Sequence, residues 1–165
     1  MSHIVDHSVV VSKVTRFLCS RLQEVSPNLD IRLATRAALL HDITKTRSFD
    51  TQELHSETGG RLLDRLGYPE VGNIIRQHVI LDSYEIQSPI CEHEIVNYSD
   101  KRVLHDQVVS LKKRLEYIKQ RYGKNKGFKK RIKVLWNNTL ILESKLFGQL
   151  DIEPDELHNC ITVYK

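Results

Sequence analysis

Thiols, prolines and glycines are scarce in this chain. Three cysteines, Cys19, Cys91 and Cys160, stand alone among 165 residues with no paired spacing. An odd, scattered set excludes a disulfide framework and a zinc knuckle and points to a reducing compartment. With only 4 prolines and 7 glycines, the long charged-apolar repeats point toward helices. No stretch approaches the roughly 20 apolar residues that cross a bilayer, so no membrane partner is expected. The start, MSHIVDHSVVV, lacks the basic region and unbroken apolar run of a signal peptide. A cytoplasmic location is therefore expected. Helix-turn-helix signals are absent, which argues against a transcription factor. So is a nucleophile elbow, which argues against Ser-His-Asp hydrolysis.

What is present is ordinary in bulk and uneven in detail. Hydrophobic residues make up 40% and charged residues 28% of the chain, and its length suits one domain with a real core. The net charge is only +4, yet Lys112 to Lys133 holds eleven Lys or Arg against one Glu, Glu116. The remainder is acidic.

Periodicity divides the chain. Ile4, Val11, Val14, Leu18 and Leu22 predict a helix over about 4–24, broken by Ser26-Pro27-Asn28. Asp30 is an N-cap for a second helix to about His41. Residues 46–52 read as a polar loop. A third helix runs from about His55 to Gly67, which suits a C′ glycine, and Pro69 opens a fourth to about Val79. After a loop over 81–89, a long basic fifth helix spans about 91–122 and a sixth about 127–148. In the tail, Ile161-Thr162-Val163-Tyr164 suggests a short strand. The expected fold is an all-α, single-domain bundle of about six helices.

Five ionisable side chains sit where that pattern asks for Leu or Ile. His7 shares a face with Ile4, Val11 and Val14; His41 with Ala34, Ala37 and Ala38; His55 with Gly59, Leu62 and Leu66. His78 lies with Val71, Ile74 and Ile75, and Asp100 with Val96, Val103 and Leu111. Asp42 follows His41 directly. Buried charges must be paired, hydrogen-bonded or metal-bound, and six such groups converging would form a metal site. One histidine on an apolar face is more often a satisfied core residue than a ligand. A bare His-Asp dipeptide says little, because the chain has a second, His105-Asp106. On a continuous helix that pair lies about 140° from Asp100, and it reads as a surface or outer-sphere pair. The joint pattern carries the weight. Imidazoles and carboxylates without thiolate suit Fe, Mn, Ni, Co, Zn or Mg.

In order and texture the motifs resemble the HD-domain superfamily of metal-dependent phosphohydrolases. "DHSVVVSKV" is similar to its first-helix His motif and "AALLHDITK" to its HD segment. "HSETGGRLLDRLGYPEVGNIIRQH" looks like the two-histidine insert of binuclear members, and "NYSDKRV" like the closing Asp motif. The resemblance covers about residues 1–105, taken as the metal-binding core, with 106–165 as a helical extension on the same domain. One departure is HDITK for the common HDIGK, with Thr44 in place of Gly.

The resemblance implies that His7, His41, Asp42 and Asp100 hold one divalent ion. His55 and His78 complete a second, Asp42 bridges the two, and Fe or Mn is favoured. Two divalent ions against two carboxylates leave about +2 to attract a phosphate, and a metal-activated water would serve as nucleophile at neutral pH. Asp42 and Lys45 are the expected catalytic residues, with Lys45 clamping a phosphate. Lys101, Arg102 and Arg76 are further substrate-binding candidates. The expected activity is cleavage of a phosphate ester or anhydride of a nucleotide or another small phosphorylated molecule. The alternatives are a nucleic-acid-binding protein using the 112–133 segment, with Tyr117, Tyr122 and Phe128 interleaved, and a nucleotide-sensing HD scaffold. Against the first stands the reading of the lysines as the solvated face of a helix. Oligomeric state is not legible.

Overall fold

A computed structural model describes residues 2–82, 85–122 and 126–163. Helix α1 (Ser2–Leu22) buries Val11, Val14, Leu18 and Leu22 of the stripe its periodicity predicts, and Phe17 beside them, while Ile4 is partly buried. Helix α2 (Ile31–Leu40) begins at Asp30, whose carboxylate accepts hydrogen bonds from the Arg32 and Leu33 amides at 2.9 Å. That satisfies two of the amides a helix start leaves unpaired. Its Ala34, Ala37 and Ala38 are buried, and small side chains let α1 lie close along it.

A short α3 (Lys45–Thr51) replaces the expected 46–52 loop. It buries nothing, so it lacks the apolar stripe by which helices are read, and it ends at Gln52 in the left-handed conformation, φ 57°. Helices α4 (His55–Arg65) and α5 (Pro69–Arg76) follow, joined through Gly67 at φ +87°. They cross almost backbone to backbone. A Cβ at Gly72 would lie 2.8 Å from the Gly60 carbonyl oxygen.

The largest departure concerns the predicted fifth helix. It is two helices, α6 (Glu92–Lys101) and α7 (Leu111–Tyr122), separated by an antiparallel hairpin of β1 (Val103–Leu104) and β2 (Gln107–Val108). His105 turns the hairpin at φ 55°, a left-handed conformation that His and Asp tolerate better than most residues. Val103 and Leu111 are buried all the same, 0% and 4% exposed, so helical spacing and the hairpin predict the same inward residues. Helix α8 (Lys126–Phe147) packs on α6 and α7. The tail is also corrected. Residues 161–163 belong to α9 (Leu157–Val163), and residue 164 lies outside the described set. Leu157 and Ile161 are buried at an i, i+4 spacing, which outweighs the strand propensity of Ile-Thr-Val. The all-α class stands, with the two-residue hairpin its only sheet among the described residues. No described helix is long and apolar enough to cross a membrane.

Candidate metal centre

Helix α2 ends at His41, and this position aims its ring. The carbonyl oxygens of a helix's last turn have no partner within the helix. His41 Nδ1 donates to one of them, Ala38 O, at 2.7 Å. That bond keeps a proton on Nδ1 and leaves Nε2 as the atom turned inward, the one available to a metal once it is deprotonated. His78, just beyond α5, repeats the device: its Nδ1 donates to Ile75 O at 2.7 Å. His7 uses a distant carbonyl instead. Its Nδ1 donates to His105 O, on the hairpin turn, at 2.9 Å. Three imidazoles thus turn their Nε2 atoms to a common interior.

Two carboxylates meet them there. Asp100 Oδ1, from α6, is 3.1 Å from His7 Nε2 and 3.7 Å from His41 Nε2. Asp42 Oδ2 is 3.4 Å from His41 Nε2, while Oδ1 is 3.2 Å from His55 Nε2 and 3.7 Å from His78 Nε2. The four rings form a chain, His7 to His41 to His78 to His55, with centroids 5.4, 4.9 and 5.0 Å apart. Thr44 ties down the His55 end: its hydroxyl donates to His55 O at 2.8 Å. Glycine at this position would lack that tie. The Gly59 site beneath leaves only 3.2 Å between a notional Cβ and Ile75 Cγ2.

The donor set fits a cation. His41 Nε2 and Asp42 Oδ1 are buried without a hydrogen-bond partner, a costly arrangement unless something positive satisfies them. His55 Nε2 and His78 Nε2 approach to 3.1 Å. Two groupings, His7–His41–Asp100 and His41–Asp42–His78, each bring their ligand atoms within 4.8 Å of one another. Neither includes a thiolate. Protonation follows the same field. Burial opposes charge on His41, but Asp42 and Asp100 outweigh it and hold its pKa above 6.5. Burial, then the positive field of His41, pushes His78 down to about 3. Burial also opposes ionisation of both aspartates. Nonetheless His41, His55 and Lys45 hold Asp42 far below the usual carboxylate range, and His7, His41 and Arg114 do the same for Asp100. A site that draws protons to imidazole beside fixed carboxylates draws divalent cations equally.

The family model described as HD domain matches residues 4–118. The chain belongs to the HD domain family. Among curated proteins, ribonuclease Y of Petrotoga mobilis is 34% identical over 76 residues, 46% of this chain and 14% of that relative. Ribonuclease Y of Latilactobacillus sakei is 38% identical over 77 residues, again 46% and 14%. For Pseudothermotoga lettingae the figures are 28% over 94 residues, 57% and 17%. The chain spans less than a fifth of the length of these relatives. No solved structure matches it. Membership of the HD domain family places the chain in the superfamily of metal-dependent phosphohydrolases.

Other candidate residues of this HD domain part company. Lys45 stays beside the cluster: its ammonium donates to Asp42 Oδ2, and the side chain is 31% exposed. Lys101 and Arg102 do not line a mouth. The Lys101 ammonium is buried, and its three protons go to His78 O, Asn97 O and Asn97 Oδ1 at 2.9, 3.1 and 2.9 Å. It supports His78 from behind, and burial lowers its pKa to about 8. Arg102 is 2% exposed and ties α6 to the C-terminal part through Val109 O, Glu143 and Pro154 O at 2.8, 3.1 and 2.7 Å, with a further bond to Tyr98. Arg76 pairs with Asp64 and lies 3.8 Å from Glu57, joining α4 to α5. Their protein partners, not visible in residue type alone, are what turn them from the expected substrate-binding positions to ties within the fold. Arg114, hidden in the basic run, reaches the centre instead: its Nη2 is 3.9 Å from Asp100 Oδ1.

Proposed function

We propose that this protein hydrolyses a phosphate ester or anhydride of a nucleotide or another small phosphorylated molecule at a centre holding two divalent ions, Fe or Mn favoured. The observation that carries the reading is the pair of buried, unpartnered ligand atoms, His41 Nε2 and Asp42 Oδ1, in a cluster of inward-turned imidazole nitrogens. In this reading His7, His41, Asp42 and Asp100 hold one ion, and Asp42, His55 and His78 hold the other. One imidazole nitrogen has one lone pair, so His41 serves a single ion. Asp42 can serve both, because its two oxygens face different histidines. Bound divalent ions supply Lewis-acid stabilisation of phosphoryl oxygens and acidify a water. Asp42 orients the centre and balances its charge, and Lys45, half-exposed beside Asp42, binds a phosphoryl oxygen. Within the single domain, residues 1–105 form the metal-binding core and 106–165 the extension that completes it.

The test is phosphate release from a panel of nucleotides with Mn²⁺, using wild type, His41→Ala and Asp42→Ala. Activity present in wild type and lost in both variants is expected. Equal activity in the variants overturns the assignment, and no turnover by a metal-loaded wild type favours a sensing role.

A second reading, nucleic acid as substrate, is favoured by one observation. Lys112, Lys113, Lys119, Arg121, Lys130, Arg131 and Lys133 are all exposed on α7 and α8, and the relatives above are named as ribonucleases. Tyr117 is packed against His105 and Arg114 rather than offered to a base, while the side chains of Tyr122 and Phe128 lie outside the described residues. Cleavage of single-stranded RNA with an affinity falling steeply in salt would select this reading. Absence of retention on heparin would count against it.

A further inference from the structure

Arg114 is a described cation beside the centre that the proposed chemistry does not use. It stands in the first turn of α7, 15% exposed, on the Asp100 side of the centre. Its Nη2 is 3.9 Å from Asp100 Oδ1, beyond hydrogen-bonding range. Its Nε is buried with no hydrogen-bond partner. A guanidinium with donors held inside the protein and unmatched is costly unless an acceptor arrives. Asp100 is a poor candidate for that acceptor, since its Oδ1 already faces His7 and His41.

The side chain is also held in place. The Arg114 guanidinium lies over the Tyr117 ring, 6.0 Å from its centroid. Tyr117 is fixed in turn: its ring meets His105 edge-on at 5.4 Å, and its hydroxyl accepts from Arg121 Nη1 at 3.0 Å. Leu111, one turn earlier, anchors α7 in the core at 4% exposure. A fixed, planar fork of N–H donors matches the tetrahedral oxygens of a phosphoryl group better than any other anion acceptor near the centre. Lys45 flanks the Asp42 side and Arg114 the Asp100 side, so a phosphate on the centre meets a cation from each direction.

We propose that Arg114 is a substrate-binding residue of this centre, its guanidinium donating to a non-bridging oxygen of the phosphate group while Tyr117 holds it in register. The proposal rests on the phosphohydrolase reading above and adds a contact from α7, outside the four ligand-bearing motifs.

The probe is inorganic phosphate, titrated calorimetrically into the Mn²⁺-loaded full chain, with Mn²⁺ affinity measured separately by electron paramagnetic resonance. Wild type should bind both. Arg114→Gln should bind Mn²⁺ within about twofold of wild type and lose phosphate affinity by about ten- to a hundredfold, the cost of a charged hydrogen bond. Arg114→Lys, which keeps charge and bulk, should recover part of the loss and guards against a folding defect in the first variant. Undiminished phosphate affinity in Arg114→Gln overturns the proposal while leaving the metal centre intact. A parallel loss of Mn²⁺ affinity overturns it too, by showing that Arg114 acts through Asp100. A wild type that binds no Mn²⁺ removes the underlying reading, and this proposal with it.

Discussion

Replacing Asp42 by Asn tests the bridge directly, because the side chain keeps its shape and loses its charge. Asp42 Oδ2 faces His41 at 3.4 Å and Oδ1 faces His55 at 3.2 Å, so one substitution touches both ion positions. At free Mn²⁺ about a hundredfold above Kd, one ion bound only to the folded state adds about 2.7 kcal/mol. For 165 residues, each kcal/mol moves Tm by roughly 2–4 °C. One ion is therefore worth about 5–11 °C, and two about twice that. The assay is thermal unfolding of each variant with Mn²⁺ and with chelator, and the readout is the difference within a variant. Any change in the metal-free protein then cancels. Wild type should show the two-ion shift and Asp42→Asn almost none. His7→Ala and His55→Ala should each retain about half, each having lost a proposed ligand of a different ion. A full wild-type shift in Asp42→Asn would refute the bridging geometry, and equal shifts in all four proteins would refute the centre itself.

Three further outcomes concern the frame around that centre. Arg102→Ala should destabilise the protein by about 3–5 kcal/mol in urea unfolding, since it leaves the Glu143 carboxylate without its cation and the Val109 and Pro154 carbonyls without their donor; a loss below about 1 kcal/mol would deny Arg102 its tying role. Gly72→Ala should cost about 1–3 kcal/mol, because the new methyl would meet Asp64 Oδ1 at 2.7 Å and Gly60 O at 2.8 Å, and an unchanged midpoint would contradict that crossing. Burial, with Glu92 and Asp30 adding to it, raises the Cys19 thiol from 9.0 to about 12. The unfolded thiol then ionises first, so stability should fall as pH rises from 9.0 toward about 12. Cys19→Ala should show a shallower decline over that window, and identical slopes would refute the burial argument.

The parts of this fold legible in sequence are those where local pattern and tertiary need coincide. Asp30 caps α2, Gly67 ends the α4 region in a left-handed conformation, and the α1 stripe is its buried face. The candidate site was visible for the opposite reason: His7, His41, His78 and Asp100 violate apolar stripes, and these residues meet in one interior cluster. The hairpin was hidden because Val103 and Leu111 face inward under either reading. Lys101 and Arg102 were misread because partners, not residue type, decide where a charge lies; the Glu143 that receives Arg102 is 41 residues away. Arg114 vanished among ten neighbouring cations of similar appearance. Thr44, a departure from the motif, is a tether for His55 that only the three-dimensional partner reveals.

His41 and His78 each lean on a carbonyl three residues back, so a single helix end suffices to point them. His7 leans on the turn at residue 105, a span of 98 positions, and contacts that distant are among the last a folding chain can close. In the proposed centre, capture of an ion by the His7 side would thus report that the two remote stretches have met. A fragment ending between Asp100 and the turn would keep every proposed ligand residue and forfeit this signal of completed assembly.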